Sequence, residues 1–495
     1  MRVCECTAII RVAVSLIFCT ALPILPAFSS TVTELMNSGN GVNVYYVNPN
    51  AGSDSSGSGT RSSPWKTICK AINSGSSGPS GWTIVLQPGT YSARNQLGQA
   101  GCSTDPNSGQ LLVSLLGHGG ISGAPLTITG TTAFGINGAK IVGALYLAVN
   151  YTNVLNLEIT DPTSAKNAIN IGSNGETNGS TGQHITIRHN YIHDVNRTCG
   201  SGNGDGGMGV GTASDASNGI IDSNILNNFG VNGGCPGQAG TGPLGVYVSG
   251  YKFQVINNLI SNAQGGIQFN HNVCDELAAD NTVIHNYIYG ILVAGWDGNT
   301  ALTQCESGDN YTAIVGNFVA KNGYGCGIQY GSAGAQGGII FWGIGANSTH
   351  DSIAYNYLAS NWAAEGASGC TNSPGTANNI ITAGNGYSSP DGNPDNFKGC
   401  GPPSCANSIN ANTNLSSTSI NGLVQNFQNS VVPAVNPALG GTANFTPLIS
   451  GPLHNIVNRL KYCPGTPGVA SPCGPTVDIV ATSRPSTSSI GAYEQ

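Results

Sequence analysis

The chain has 495 residues, 72 of them glycine, with 16 Lys or Arg against 23 Asp or Glu and a net charge of −7. Charged residues make up 8% of the chain, far below the usual quarter. With no basic stripe to neutralise phosphates, nucleic acid is excluded as a partner. Apolar residues reach 39% and are patterned, which argues against disorder.

The first 29 residues read as a secretory signal peptide. Arg2 and Arg11 supply the basic start, residues 12–25 the apolar middle, and Ala27-Phe28-Ser29 the small residues of a cleavage site. After this segment no apolar run is long enough to span a bilayer. Cysteine usage agrees with export. Fifteen cysteines, less Cys4, Cys6 and Cys19 in the signal region, leave an even twelve. Pairing neighbours in sequence gives Cys69 with Cys102, Cys199 with Cys235, Cys274 with Cys305, Cys326 with Cys370, Cys400 with Cys405 and Cys463 with Cys473.

Val44-Tyr45-Tyr46-Val47 opens the first strand. A Gly/Ser/Asp loop follows, and residues 64–72 have helical spacing, with Trp65, Ile68 and Ile72 on one face. Thr83 to Leu86 is a strand that turns at Pro88-Gly89. Further short strands are expected at residues 126–128, 141–147, 154–159 and 169–171.

From residue 185 a phrase recurs: apolar, two residues, Asn, one residue, apolar. It centres on Asn190, Asn224, Asn258, Asn286, Asn317 and Asn356, at separations of 34, 34, 28, 31 and 39 residues. Most copies are followed by Gly, apolar, any, apolar, as in Gly245-Val246-Tyr247-Val248, Gly266-Ile267-Gln268-Phe269, Gly290-Ile291-Leu292-Val293 and Gly327-Ile328-Gln329-Tyr330. The spacing within each phrase is that of strands, and repetition every few tens of residues marks a solenoid. The expected fold is all-β: a right-handed parallel β-helix of three strands per coil over residues 44–385, with a short N-terminal capping helix. The Asn column is expected to stack as an amide ladder, each Asn taking the left-handed conformation of a sharp turn. Leu157 stands where later coils carry Asn, so the ladder starts at Asn190. A last coil is expected near Asn379-Ile380-Ile381, and residues 386–495 form a loop-rich capping segment.

Two stretches resemble known families. Tyr46-Val47-Asn48-Pro49, Gly52-Ser53-Asp54, Ser63-Pro64-Trp65-Lys66-Thr67-Ile68 and Ile84-Val85-Leu86-Gln87-Pro88-Gly89-Thr90-Tyr91 resemble the opening of secreted pectate-lyase-like β-helix proteins. Near the end, Phe445-Thr446-Pro447-Leu448 and Ser488-Ser489-Ile490-Gly491-Ala492-Tyr493-Glu494 resemble the closing segment of bacterial surface β-helix proteins of the choice-of-anchor type. The first resemblance implies an extracellular polysaccharide as partner, bound in a groove along one parallel sheet. With the anchor itself missing, a monomer that is released or loosely held at the surface is expected.

On that face Tyr247, Gln268, Gln329 and Trp296 are the expected sugar contacts. β-Elimination at a uronate needs a cation to neutralise the carboxylate and a base to take the adjacent proton. Asp205, Asp275 and Glu276 are candidate Ca²⁺ ligands through hard oxygens, and Lys252 or His271 is a candidate base. Hydrolysis instead needs two carboxyls, for which Asp205 with Asp275 or Asp297 would serve. The same Asp-Gly-Asn runs are also ordinary turn chemistry. A lyase is the leading expectation; a hydrolase and a non-catalytic adhesion protein are the alternatives. His193-Asp194 reads as an exposed pair away from the groove.

Overall fold

The computed structural model describes residues 43–75, 81–105, 109–160, 167–172, 182–195, 207–229, 243–270, 275–294 and 312–323, with short stretches beyond. The signal region, the 385/386 boundary and five of the six cysteine pairs lie outside the described residues, as do Asp205, His271, Trp296, Asp297 and Gln329.

Strands stack coil on coil in parallel. The first sheet has ten described strands, from Asn43–Val47 to Ser352–Ala354. Its inward row, Ile84, Ile128, Val154, Ile187, Ile221, Val255, Ala278 and Ile314, is in register and fully buried. The second and third sheets are joined into nineteen described strands by Ala139–Leu147, which runs through both. It bends at Gly143, at φ 148°, where a Cβ would fall 2.0 Å from the Leu111 carbonyl oxygen. The second sheet buries Ile141, Ile159, Ile192, Leu226, Ile260, Val283, Val319 and Leu358, and the third Leu145, Ile169, Val210, Val246, Ile267, Ile291 and Ile339. Each such side chain contributes about 1.5–3 kcal/mol on burial. The fold is the expected parallel β-helix.

The Gly-led phrase has a steric cause. Gly245, Gly266, Gly290 and Gly338 stand in one row where the chain enters the third sheet. A Cβ on Gly266 would lie 2.4 Å from Val283 Cγ1, and one on Gly290 2.6 Å from Val319 Cγ1. The corner is too tight against the second-sheet core for any side chain. In the next coil this place belongs to Gly338, in the strand Gly337–Trp342 that pairs with Tyr289–Ala294. Gly327-Ile328-Gln329-Tyr330 lies outside the described residues, and the position beside Leu292 is Ile340.

The ladder exists, with two corrections. It runs Asn190, Asn224, Asn258, Asn281, Asn317, Asn356, each side-chain oxygen accepting both the backbone N–H and the amide of the preceding member at 2.9–3.1 Å. Asn286 is not a member. It heads a second ladder with Asn322 and Asn361 at the next corner. The coil between Asn258 and Asn281 is only 23 residues long, so a second Asn phrase falls close enough behind the first to be mistaken for it. The left-handed residue is also not the ladder Asn but the one before it: His189, Ser223, Asn257, Asp280 and Gly316 all have positive φ. The ladder starts as expected, with the Leu157 N–H donating to Asn190 Oδ1 at 3.0 Å.

The cap helix α1 is Ile68–Ser74, shorter than expected. Asp54 takes the N–H groups of Lys66 and Thr67, and Thr67 Oγ1 caps Lys70 N–H at 3.1 Å. Trp65 lies before the helix, in a bridge to Val47, with its ring on Tyr45. Cys69 on α1 is bonded to Cys102, the expected pairing, closing a separation of 33 residues for about 3–4 kcal/mol. Ile380–Ala383 provides the expected late coil by pairing with Gly337–Trp342.

Asn281→Ala should destabilise the protein as much as Asn258→Ala. Each leaves buried N–H and C=O groups unpaired, at about 1–3 kcal/mol apiece. Chemical denaturation measures this; an unaffected Asn281→Ala would contradict the ladder assignment.

Candidate functional site

Of the ten residues singled out in the sequence, five are described: Tyr247, Lys252, Gln268, Asp275 and Glu276. They fall in two places. Tyr247 and Gln268 are register partners on the outer face of the third sheet, within the row Ser114, Tyr146, Asn170, Gly211, Tyr247, Gln268, Leu292. Tyr247 is half-buried and Gln268 fully buried. Tyr289, whose ring lies over Gly265, donates its hydroxyl to Gln268 Oε1 at 2.6 Å. Asn270 Nδ2 donates to Tyr247 Oη at 3.2 Å.

Lys252, Asp275 and Glu276 sit at the corner leading from the third sheet to the first. This corner repeats a left-handed residue followed by an inward one. Tyr151, His184, Asn218, Lys252 and Asp275 all have φ of 51–59° and face outward in adjacent coils. Lys252 Nζ lies 3.8 Å from Asp275 Oδ2, with both side chains partly exposed. Such a pair contributes little to stability.

Glu276 is the inward residue and is fully buried. Its Oε2 accepts the Phe253 N–H of the preceding coil at 3.0 Å, the bond that Asn makes at the other two corners. Oε1 is buried without a hydrogen bond. Burial pushes this carboxyl well above its ordinary 4.5, the nearby Asp275 charge adds to the rise, and the Phe253 bond only partly opposes it. An inward-facing acid that accepts a backbone N–H is a structural rung. Its burial does not fit a Ca²⁺ site, which needs accessible oxygens, so Asp275 has no second ligand in Glu276. Among the described residues no group of three His, Cys, Asp or Glu could hold a metal ion.

The densest charge cluster is elsewhere. Four of the five ion pairs among the described residues lie on earlier coils. Glu158 Oε1 accepts Lys140 Nζ at 2.6 Å and contacts His193 Nε2 at 3.1 Å, while His193 Nδ1 meets Asp194 Oδ2 at 2.8 Å. Asn228 donates to Asp194, and the Tyr191 ring stacks on His193 at 4.0 Å. The chain of contacts crosses four coils of the second sheet and its exit corner. His193 is thus 8% exposed, not the solvated residue that its sequence context suggests. Burial lowers the His193 pKa, but its bonds to Asp194 and Glu158 outweigh that and raise it overall. Asp194 is held below the ordinary carboxylate range chiefly by the His193 bond. The partners come from separate coils, Lys140 and Glu158 18 residues apart and Glu158 and His193 35, so only coil register could have revealed them.

No family model and no curated protein matches this chain. Among solved structures it is similar to a pectate lyase, at 12% identity over 92% of this chain and 98% of that one with a TM-score of 0.39. It is also similar to a rhamnogalacturonan lyase, at 13% over 64% and 74% with a TM-score of 0.33. A third is a surface adhesin of Streptococcus pneumoniae, at 13% over 58% and 71% with a TM-score of 0.26. None is similar enough to transfer a residue or a reaction.

Two pH effects follow. Glu276 titrates higher folded than unfolded, so its stabilisation is complete below 4.5 and falls as pH rises towards its raised value. Glu276→Gln keeps the acceptor for Phe253 without an ionisable group. Its melting temperature should gain on that of the parent protein as pH rises above 4.5; parallel curves would contradict a raised carboxyl pKa at this buried position. The raised His193 pKa has the same sign: the stabilisation from the imidazolium is complete below 6.5 and is lost above the raised value. His193→Gln should therefore cost more stability near pH 5.5 than near pH 9, read by denaturant titration at both.

Proposed function

We propose that this protein is secreted and acts on an extracellular polysaccharide lying along the outer face of the third sheet. The observation that carries this reading is the register row on that face, in which Asn170 and Tyr247 are half-exposed polar side chains from separate coils on one line, continued by the buried Gln268. Coils repeat at about 4.8 Å, so an extended polymer meets a series of similar contacts. β-Elimination is the chemistry proposed for it. Lys252, four residues past the strand Leu244–Val248, would take the proton or steady the developing charge, with His271 as the other candidate base. Asp205 and Asp275 remain the candidates for Ca²⁺; no step is assigned to the ion. Hydrolysis would draw on Asp205 with Asp275 or Asp297.

A second reading, a non-catalytic adhesion protein, is favoured by one observation: the burial of Glu276 leaves Lys252 and Asp275 as the only expected catalytic or metal-binding residues on the surface among those described. The two readings separate on turnover. Under elimination, incubation with pectic, alginate or glycosaminoglycan polymers yields unsaturated, ultraviolet-absorbing ends. Lys252→Ala then lowers the rate at least about 100-fold, and a chelator lowers it only if Ca²⁺ takes part. New reducing ends without unsaturation would indicate hydrolysis. Stable binding with neither product would establish the adhesion reading.

A further inference from the structure

The described strands of the third sheet are free of charge. Leu111–Ser114, Ile169–Ile171, Val210–Thr212, Leu244–Val248, Gly265–Asn270, Tyr289–Ala294, Gly337–Trp342 and Ile380–Ala383 contain no Asp, Glu, Lys, Arg or His. In Ala139–Leu147 the one charged residue, Lys140, belongs to the second-sheet half and pairs there with Glu158.

The outer row carries amides and phenols instead. Asn167 lies over Gly211, where a Cβ would meet its Nδ2 at 2.2 Å. That amide donates to Asn170 Oδ1 at 3.0 Å, and its own oxygen accepts Met208 N–H at 3.3 Å. Tyr247 is held by Asn270, and Gln268 by Tyr289. Two polar atoms on this face are shielded from water and carry no hydrogen bond: the donor Asn170 Nδ2 and the acceptor Asn270 Oδ1. They flank the Gly211–Tyr247 register pair from either side. Buried amide atoms are seldom left without partners; both residues are part-exposed, and a rotation of either amide towards a bound hydroxyl group, donor and acceptor at once, would supply the missing bond.

We propose that the face from Asn170 to Asn270 is a recognition site for uncharged, hydroxyl-rich sugar units. The proposal rests on the polysaccharide reading and narrows it. A carboxylate pressed against this row would lose its water and gain no cation, which is unfavourable. A neutral sugar brings hydroxyls that match amide and phenol groups. Elimination beside Lys252 then calls for a polymer in which uronates are interspersed with neutral units.

The test is affinity electrophoresis and calorimetry of the full chain against neutral glycans (a β-glucan, a xylan, a galactan), a mixed pectic polymer, and pure polygalacturonate and alginate. The expected result is binding to a neutral or mixed glycan that survives about 1 M NaCl, where charge attraction is screened within about 3 Å. Asn170→Ala and Asn270→Ala should each weaken that binding about tenfold in a chain whose melting curve still shows a cooperative folded state. Asn270→Asp, which keeps the size and adds a charge, should weaken it further. Binding confined to the pure polyuronates, lost in salt and indifferent to these substitutions, would overturn the proposal and leave the polysaccharide reading standing. Binding to no glycan at all would overturn both.

Discussion

The structure depends on parallel coils meeting in register, and the hardest place to keep register is the corner. Along each sheet the backbone N–H and C=O groups pair with the coils on either side. At a corner the chain turns through a left-handed residue and that pairing breaks. The asparagine after the turn points inward and restores it. Its oxygen takes the N–H of the coil before, and its amide reaches a carbonyl of that coil, as Asn224 does with Ile187 and Asn258 with Ile221. These groups have no access to water, so each one left unpaired would cost about 1–3 kcal/mol. The same solution appears at two corners, in the Asn190 and Asn286 ladders, and the third corner uses a single buried acid, Glu276, in a similar position.

Register also sorts the chemistry. Charges are few, and stacking brings Lys140, Glu158, His193 and Asp194 together on the second sheet and its exit corner. The third sheet is left to glycines on its tight inner corner and to amides and phenols on its outer face. One face of the solenoid therefore offers hydrogen bonds without charge. Another carries a pH-sensitive clasp of ion pairs, and Lys252 and Asp275 mark the edge between the uncharged face and the next sheet.

Much of the architecture was legible in the residues. Strand spacing, the Asn phrase and the Gly-led phrase are local patterns, and each has a local physical cause: inward packing, corner pairing and a corner with no room for a Cβ. The Cys69–Cys102 bridge and the absence of Asn at Leu157 could be read for the same reason. The error came where two copies of a local pattern compete. Asn281 and Asn286 both fit the phrase. Only the length of the intervening loop, which no local pattern constrains, decides which one reaches the first ladder.

The site was less legible, because a side chain's environment is set by coils far away in sequence. Gln268 alternates outward as its strand pattern requires, yet it is buried beneath Tyr289 from the next coil. Asp275 and Glu276 are neighbours that read as one acidic pair. The left-handed corner turns one outward and the other into the core, so only one of them remains a surface carboxylate. His193-Asp194 reads as a solvated pair until Glu158, 35 residues earlier, is laid against it. By itself the sequence determined that this chain coils into a parallel β-helix, since repeated apolar and turn positions can be buried in no simpler way. Which polar groups face one another across coils was decided by tertiary structure alone, because loop lengths set the register and register sets every contact.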